Sequence, residues 1–283
     1  MARYKKILSA VDGSISSMHA LRESFKFACN EKCWITVASV VPSYVGDLDM
    51  VGVGNVMGAM RKPCEDALKE ADRLAREEGV LIKTVCEEGE VFERISDLAA
   101  SENCDLIVMG RRGLHRLERS LVGSVTARVI GYSQRDVLVV PGKTQVGFQR
   151  VLVATDGSKQ CRTAVERAID FAGSYGGEIS VVSIVDVPAE FYAEAPQIVE
   201  DMVHKAQGYV EDVKKQAEAS GVKAESFVRE GEAYQAIIDL AKARDVNIIV
   251  MGSHGRTGLK RLLMGSVAEK VIGYAPCPVL VAR

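Results

Sequence analysis

The 283-residue sequence predicts a duplicated α/β protein in which each half forms a doubly wound parallel sheet. Three observations predict it. Short β-branched runs alternate with amphipathic helical segments, a glycine-serine signature occurs twice in register, and the words around that signature recur with it. Strand runs in the first half occupy residues 7–11, 35–41, 82–86, 106–109 and 137–140. They are apolar at most positions rather than at alternate ones, as parallel strands covered on both faces require. Between them, residues 16–29, 64–78, 92–101 and 124–131 have helix composition, with Ser16 and Ser124 placed as N-caps. Strand-helix alternation in this order argues right-handed crossovers within an open sheet.

The duplication can be followed residue by residue. Lys6-Ile7-Leu8-Ser9-Ala10-Val11-Asp12-Gly13-Ser14 aligns with Arg150-Val151-Leu152-Val153-Ala154-Thr155-Asp156-Gly157-Ser158 at an offset of 144, and the second strands keep it. At Glu88-Gly89-Glu90 and Glu230-Gly231-Glu232 the offset has become 142. The first copy therefore carries two extra residues within 42–60, a stretch containing Gly46, Gly52, Gly54 and Gly58. A surface loop is expected there, because a buried loop would strand its backbone polar groups. Pro141-Gly142-Lys143-Thr144 closes the first copy and residues 145–149 read as a short linker, so the domains are expected at 1–143 and 148–283.

Composition narrows the classes. With 47% hydrophobic, 26% charged and 6% aromatic residues, the chain reads as globular, and no apolar run approaches a bilayer span. The basic start, Met1 to Lys6, is followed by only five apolar-rich residues before Asp12-Gly13, which does not make a signal peptide, so a cytoplasmic protein is expected. A formal net charge of -2 gives neither nucleic acid nor anionic membrane a reason to bind in bulk. The seven cysteines, five in the first copy and Cys161 and Cys277 in the second, read as reduced structural thiols rather than a disulfide framework or a metal site.

The signature itself is Gly110-x-x-Gly113, nine residues, Gly123-Ser124, repeated as Gly252-x-x-Gly255, nine residues, Gly265-Ser266. Each copy follows a strand ending Ile-Val-Met and precedes a helix closing on Val-Ile-Gly-Tyr. In an open parallel sheet, ligands sit beyond the carboxyl ends of strands where the strand order reverses. Glycines there let the backbone approach an anion, with positive φ available. A helix starting at Gly123-Ser124 offers free N–H groups and a positive dipole end to a phosphate. Taken singly, each glycine could be only a tight turn, and Asp12 and Asp156 only turn or capping residues. Their joint recurrence argues for a pocket. Neither the Walker spelling nor Gly-x-Gly-x-x-Gly is present.

With these residues in view, the chain resembles a tandem universal stress protein over nearly its full length. Gly-x-x-Gly, nine residues, Gly-(Ser/Thr) is the wording of that family's nucleotide-binding members. Val11-Asp12-Gly13-Ser14 and Thr155-Asp156-Gly157-Ser158 match the acidic end of its first strand, and Ala275-Pro276-Cys277-Pro278-Val279-Leu280-Val281 is similar to its last strand. The resemblance implies a Rossmann-like, adenine nucleotide α-hydrolase-like fold of two five-stranded parallel sheets, each in the order 3-2-1-4-5. It implies ATP, or AMP or ADP, as ligand, with Mg2+ or Mn2+ held through the phosphates. The backbones of Val40 and Ile184 would hold adenine, and Asp12 and Asp156 would accept hydrogen bonds on the adenosine side. Gly110, Gly113, Gly123, Ser124 and Val125, with Gly252, Gly255, Gly265, Ser266 and Val267, would wrap ribose and phosphates. The two copies are expected to pair through their fifth strands as a pseudo-dimer, with a possible homodimer and an unknown regulatory protein partner beyond that.

Copy one departs from the usual wording with Arg111-Arg112 where copy two has Ser253-His254. Two guanidinium groups there could clamp a triphosphate or pair with Glu118. His254 lacks a serine, cysteine or acid at a supporting sequence position, so no catalytic residue and no protein-held metal is assigned. A nucleotide-binding stress regulator is therefore expected, with a scaffold independent of nucleotide or a weak ATPase as the alternatives. The Ser-Gly-Gly-x-Asp-Ser loop and the His-x-Gly-His pair of related hydrolases and transferases are absent.

Overall fold

The computed structural model describes residues 4–43, 56–114, 121–255 and 264–283. The chain divides into two compact units, Met1–Lys143 and Thr144–Arg283. In the first, the elements run β1 (Lys6–Ala10), α1 (Ile15–Glu31), β2 (Trp34–Pro42), α2 (Val56–Glu77), β3 (Ile82–Gly89), α3 (Val91–Ser101), β4 (Leu106–Gly110), α4 (Ser124–Tyr132) and β5 (Asp136–Val140). In the second they run β6 (Arg150–Ala154), a 3-10 turn (Lys159–Cys161), α5 (Arg162–Tyr175), β7 (Glu178–Val185), α6 (Ala189–Glu194), α7 (Pro196–Ala219), β8 (Lys223–Glu230), α8 (Ala233–Ala243), β9 (Ile248–Gly252), α9 (Ser266–Tyr274) and β10 (Val279–Ala282).

Within the first unit, β1 pairs in parallel with both β2 and β4, β2 with β3, and β4 with β5. The second unit repeats this with β6 central, between β7 and β9. Each unit thus carries the order 3-2-1-4-5, and the order reverses beside its first strand. Apolar runs match the burial: every residue of β4, β5 and β9 is buried. The edge strand β3 is half-buried and continues through Glu87 and Glu88 to Gly89, three residues past the expected end. Charges are admissible at a sheet edge, where one flank meets water.

Other differences lie in caps, a proline, a linker and a disulfide. Ser14, not Ser16, caps α1, its hydroxyl accepting from the N–H of Ser17. Gly13 takes φ +79°, which swings Ser14 into the extended conformation a cap needs. Ser124 is the first residue of α4 rather than its cap, a place taken by Gly123. Helix α2 starts at Val56 and runs through Pro63, which lacks an N–H and so resembles a helix start in sequence. Most of the expected insertion loop, residues 44–55, lies outside the described residues. Phe148, in the expected linker, is buried in the second unit and stacks on Phe171 at 4.1 Å between ring centroids.

Cys64 of α2 is disulfide-bonded to Cys86 of β3, so the expectation of seven reduced thiols does not hold. The two are 22 residues apart, and only the packing of α2 back onto the edge strand brings them together. The other five cysteines are free. Burial pushes the thiols of Cys33 and Cys277 up to about 12 and that of Cys104 to about 11, which keeps all three protonated. Among the described residues, no helix is long and apolar enough to cross a membrane.

Candidate functional site

In each unit the first and fourth strands end side by side, and the next few residues after both strands build one cleft. Asp12 follows β1. Its Oδ1 accepts the N–H of Ser14 at 3.0 Å and its Oδ2 accepts the N–H of Leu114 at 2.9 Å. The first-strand acid therefore pins the loop after β4. Burial alone would raise the Asp12 pKa, but hydrogen bonds from the Ser14 and Ser17 hydroxyls and from the Ser14 and Leu114 N–H groups outweigh it and hold the carboxyl below its usual range.

This geometry reassigns the glycines. A Cβ on Gly113 would lie 2.3 Å from Asp12 Oδ2, and one on Gly110 would lie 2.6 Å from Ser16 Oγ and 2.8 Å from the Ser16 carbonyl carbon. These glycines are needed for the approach of the carboxylate and of the start of α1. None of the signature glycines has positive φ; Gly13 and Gly157, in the Asp-Gly turns, do. The expectation that left-handed backbone at the signature serves an anion is thus corrected.

The start of α4 is lashed to the same loop. The N–H of Gly123 donates to the Arg111 carbonyl at 2.9 Å, and Thr126 Oγ1 donates to the Gly110 carbonyl at 3.1 Å. The first bond of the helix runs from the Ala127 N–H to the Gly123 carbonyl, so the N–H groups of Ser124, Val125 and Thr126 lie ahead of it. Val40 lies two residues past Ala38, the last residue of β2 paired with β1, so its backbone edge on that side is beyond the end of β1.

All seven residues expected in the first copy, Asp12, Val40, Gly110, Gly113, Gly123, Ser124 and Val125, line one cavity of about 160 Å³. Their counterparts Asp156, Ile184, Gly252, Gly255, Gly265, Ser266 and Val267 line another of about 190 Å³ in the second unit. Two other clefts of the second unit differ in place: one, of about 250 Å³, lies at the amino-terminal ends of β6, β7 and β8, and the other, of about 360 Å³, lies between α6, α7 and the end of β8. The first of these is lined by Arg150, Asp245, Lys223 and Glu178, which pair with one another at 2.5 and 2.9 Å.

The second cavity differs in detail. Asp156 Oδ1 accepts the N–H of Ser158 at 2.9 Å and the thiol of Cys161 at 3.2 Å. Cys161 aligns with Ser17, whose Oγ instead accepts the Asp12 N–H at 3.3 Å. A Cβ on Gly255 would come within 2.9 Å of Asp156 Oδ2, and one on Gly157 within 2.5 Å of the Tyr209 ring. His254 Nδ1 stands 3.0 Å from Ser253 Oγ, a partner next to it in the chain that the sequence reading did not assign. In the first unit, Arg112 lines the cavity and its Nε donates to the Leu121 carbonyl at 3.3 Å. Arg111 is half-buried, and burial followed by the like charge of Arg112 lowers its pKa. The expected pairing with Glu118 lies outside the described residues.

Sequence reasoning missed the apolar walls, Val91 and Ile95 of α3 and Ala233 and Ile237 of α8, together with Ser17, Cys161 and Thr126. Their signal in sequence is that of any helix or turn.

Comparison with known proteins gives this arrangement a family. A model of the universal stress protein family matches the chain twice, over residues 3–141 and 147–283. A universal stress protein of Methanocaldococcus jannaschii is 38% identical over 142 residues, 48% of this chain and 82% of that protein. One of Mycolicibacterium smegmatis is 27% identical across 98% of this chain and 96% of its own length. The crystal structure of a universal stress protein from Archaeoglobus fulgidus shares the fold, with a TM-score of 0.75 at 23% identity, covering 98% of this chain and 96% of that one.

Proposed function

This chain belongs to the universal stress protein family and carries two of its domains in tandem; on that footing we propose that each domain binds an adenine nucleotide and that the chain acts as a nucleotide-dependent stress regulator. One observation carries the proposal. Seven equivalent residues in each unit converge on a cavity that lies at the reversal of strand order and is bounded by the open N-terminus of a helix. Apolar walls suit a purine, and unpaired helix N–H groups suit phosphate oxygens. The nucleoside end would sit between the apolar walls, with the phosphates along the start of α4 or α9.

ATP, ADP and AMP all satisfy this chemistry. Both oxygens of Asp12 already accept N–H groups, so Mg2+ or Mn2+ would enter on the phosphates and keep its own waters rather than a protein carboxylate. Neither cavity is assigned a catalytic residue. The cytoplasm, where adenine nucleotides are plentiful, is the compartment that goes with this role, and the downstream partner is a protein that distinguishes loaded from empty domains. Isothermal titration of the nucleotide-free chain with ATP and Mg2+ tests the proposal. Saturation near two nucleotides per chain is expected; absence of binding, with no ATP-dependent rise in melting temperature, would return the chain to a scaffold role.

A further inference from the structure

We infer that the two sites are tuned to different charge states of the ligand, the first preferring a nucleoside triphosphate over a monophosphate and the second discriminating far less. The inference rests on the adenine-nucleotide reading of both cavities. Its observation is a difference in charge between two linings built from equivalent elements. Among the described residues, the charged groups lining the first cavity are Asp12 and Arg112. In the second, Asp156 has a counterpart in Asp12, but the residue aligned with Arg112 is His254, and Ser253 replaces Arg111.

The position of the arginines decides what they act on. The Arg111 carbonyl accepts the Gly123 N–H, and the Ser253 carbonyl accepts the Gly265 N–H, so the variable residues sit against the helix start in both units. Phosphates would lie at that helix start. Arg112 is tied through Nε to the Leu121 carbonyl, on the segment leading into α4, and among the described residues it forms no ion pair. Asp12, whose two oxygens accept the N–H groups of Ser14 and Leu114, forms no ion pair with it among the described residues. The helix-end dipole is common to both sites and cannot separate them.

Among the described residues, what separates them is a guanidinium, permanently charged and matched in shape to two phosphate oxygens. A monophosphate bound through its nucleoside end extends little toward this loop, whereas a triphosphate carries about two further charges past it. The ratio of ATP to AMP affinity should therefore be larger at the first site by about tenfold or more, the factor one charge-assisted hydrogen bond supplies. In a mixed pool the first domain then loads with triphosphate while the second follows total nucleotide, so the tandem chain registers the phosphorylation state of the pool.

The experiment uses the full chain, with ATP and with AMP, in calorimetric titrations at low and moderate salt. Gly265→Val leaves the first site for measurement and Gly123→Val leaves the second. The expected result is a larger ATP-to-AMP ratio at the first site, which falls to the second site's value on Arg111→Ser with Arg112→His and loses its salt dependence. Should a glycine variant fail to fold, the reciprocal exchange Ser253→Arg with His254→Arg in the otherwise unchanged chain should convert two unequal ATP binding phases into one. Equal ratios at the two sites, or ratios that the exchanges leave unchanged while nucleotide still binds, overturn the inference alone. No binding of either nucleotide at either site overturns the adenine-nucleotide reading and the inference with it.

Discussion

Asp12 shows how a single side chain joins binding to stability. Because its carboxylate accepts the N–H groups of Ser14 and Leu114, Asp12→Ala should loosen the loop after β4 as well as weaken nucleotide binding. A loss of about 2 kcal/mol is expected from hydrogen bonds to a charged acceptor, read by denaturant unfolding without ligand. Its pKa is lowered in the folded chain, so the unfolded chain takes up the proton first as pH falls. The contribution is therefore complete above the unfolded value of about 3.9 and disappears as pH drops through the lower folded value. The stability difference between the wild type and Asp12→Asn should accordingly shrink below about pH 4. A difference that stays constant down to the acid transition would remove the charge from this role.

At the scale of elements, the starts of α4 and α9 and the pinning of α2 are open to test. A Cβ on Gly265 would stand 3.1 Å from the Ser253 carbonyl oxygen, and one on Gly123 would stand 3.4 Å from the Arg111 carbonyl oxygen. The larger Val side chain at either position should push helix and loop apart, leave the apolar helix face in place, and remove ligand-induced stabilisation at that site. At ligand 100 times its dissociation constant that stabilisation is about 2.7 kcal/mol, measurable as a shift in melting temperature. The Cys64–Cys86 bond closes a loop of 22 residues between α2 and β3, so its reduction should destabilise the first domain by about 3 kcal/mol in the chain-entropy treatment. Domain two has Ala206 and Val228 at the aligned positions and should not respond. Melting with and without reductant, compared with Cys64→Ala, measures the difference.

For the whole molecule, the near balance of 36 basic and 38 acidic residues confines strong positive potential to local features such as Arg111-Arg112. Nucleic acid, whose binding depends on displacing counterions with many cations, should find no footprint. A mobility-shift titration with duplex DNA at physiological salt is expected to show no retarded species; a salt-dependent shift at micromolar protein would mean that the charges are clustered more than their sum suggests. Duplication also makes each domain the internal control of the other. Any effect of a loop or glycine substitution on one site can be read against its intact counterpart in the same chain.

Strand and helix identities followed from local rules. Buried runs such as residues 106–109 and the repeat offsets of 144 and 142 carry their meaning in residue type and spacing; spacing singled out the aspartates, glycines and serines of the two cavities, while Val40, Val125, Ile184 and Val267 came from the family resemblance. Spacing could not say why those residues are there. Gly113 is a glycine because a carboxylate 101 positions earlier in the chain occupies the place of its Cβ, and Cys64 meets Cys86 because a helix folds back on an edge strand. The walls from Val91, Ile95, Ala233 and Ile237 were equally invisible, since an apolar helix face looks the same whether it covers a sheet or borders a cavity. Short-range conformational preference is written in neighbouring residues. Which distant groups then compete for the same few ångströms is decided when the sheet brings them together.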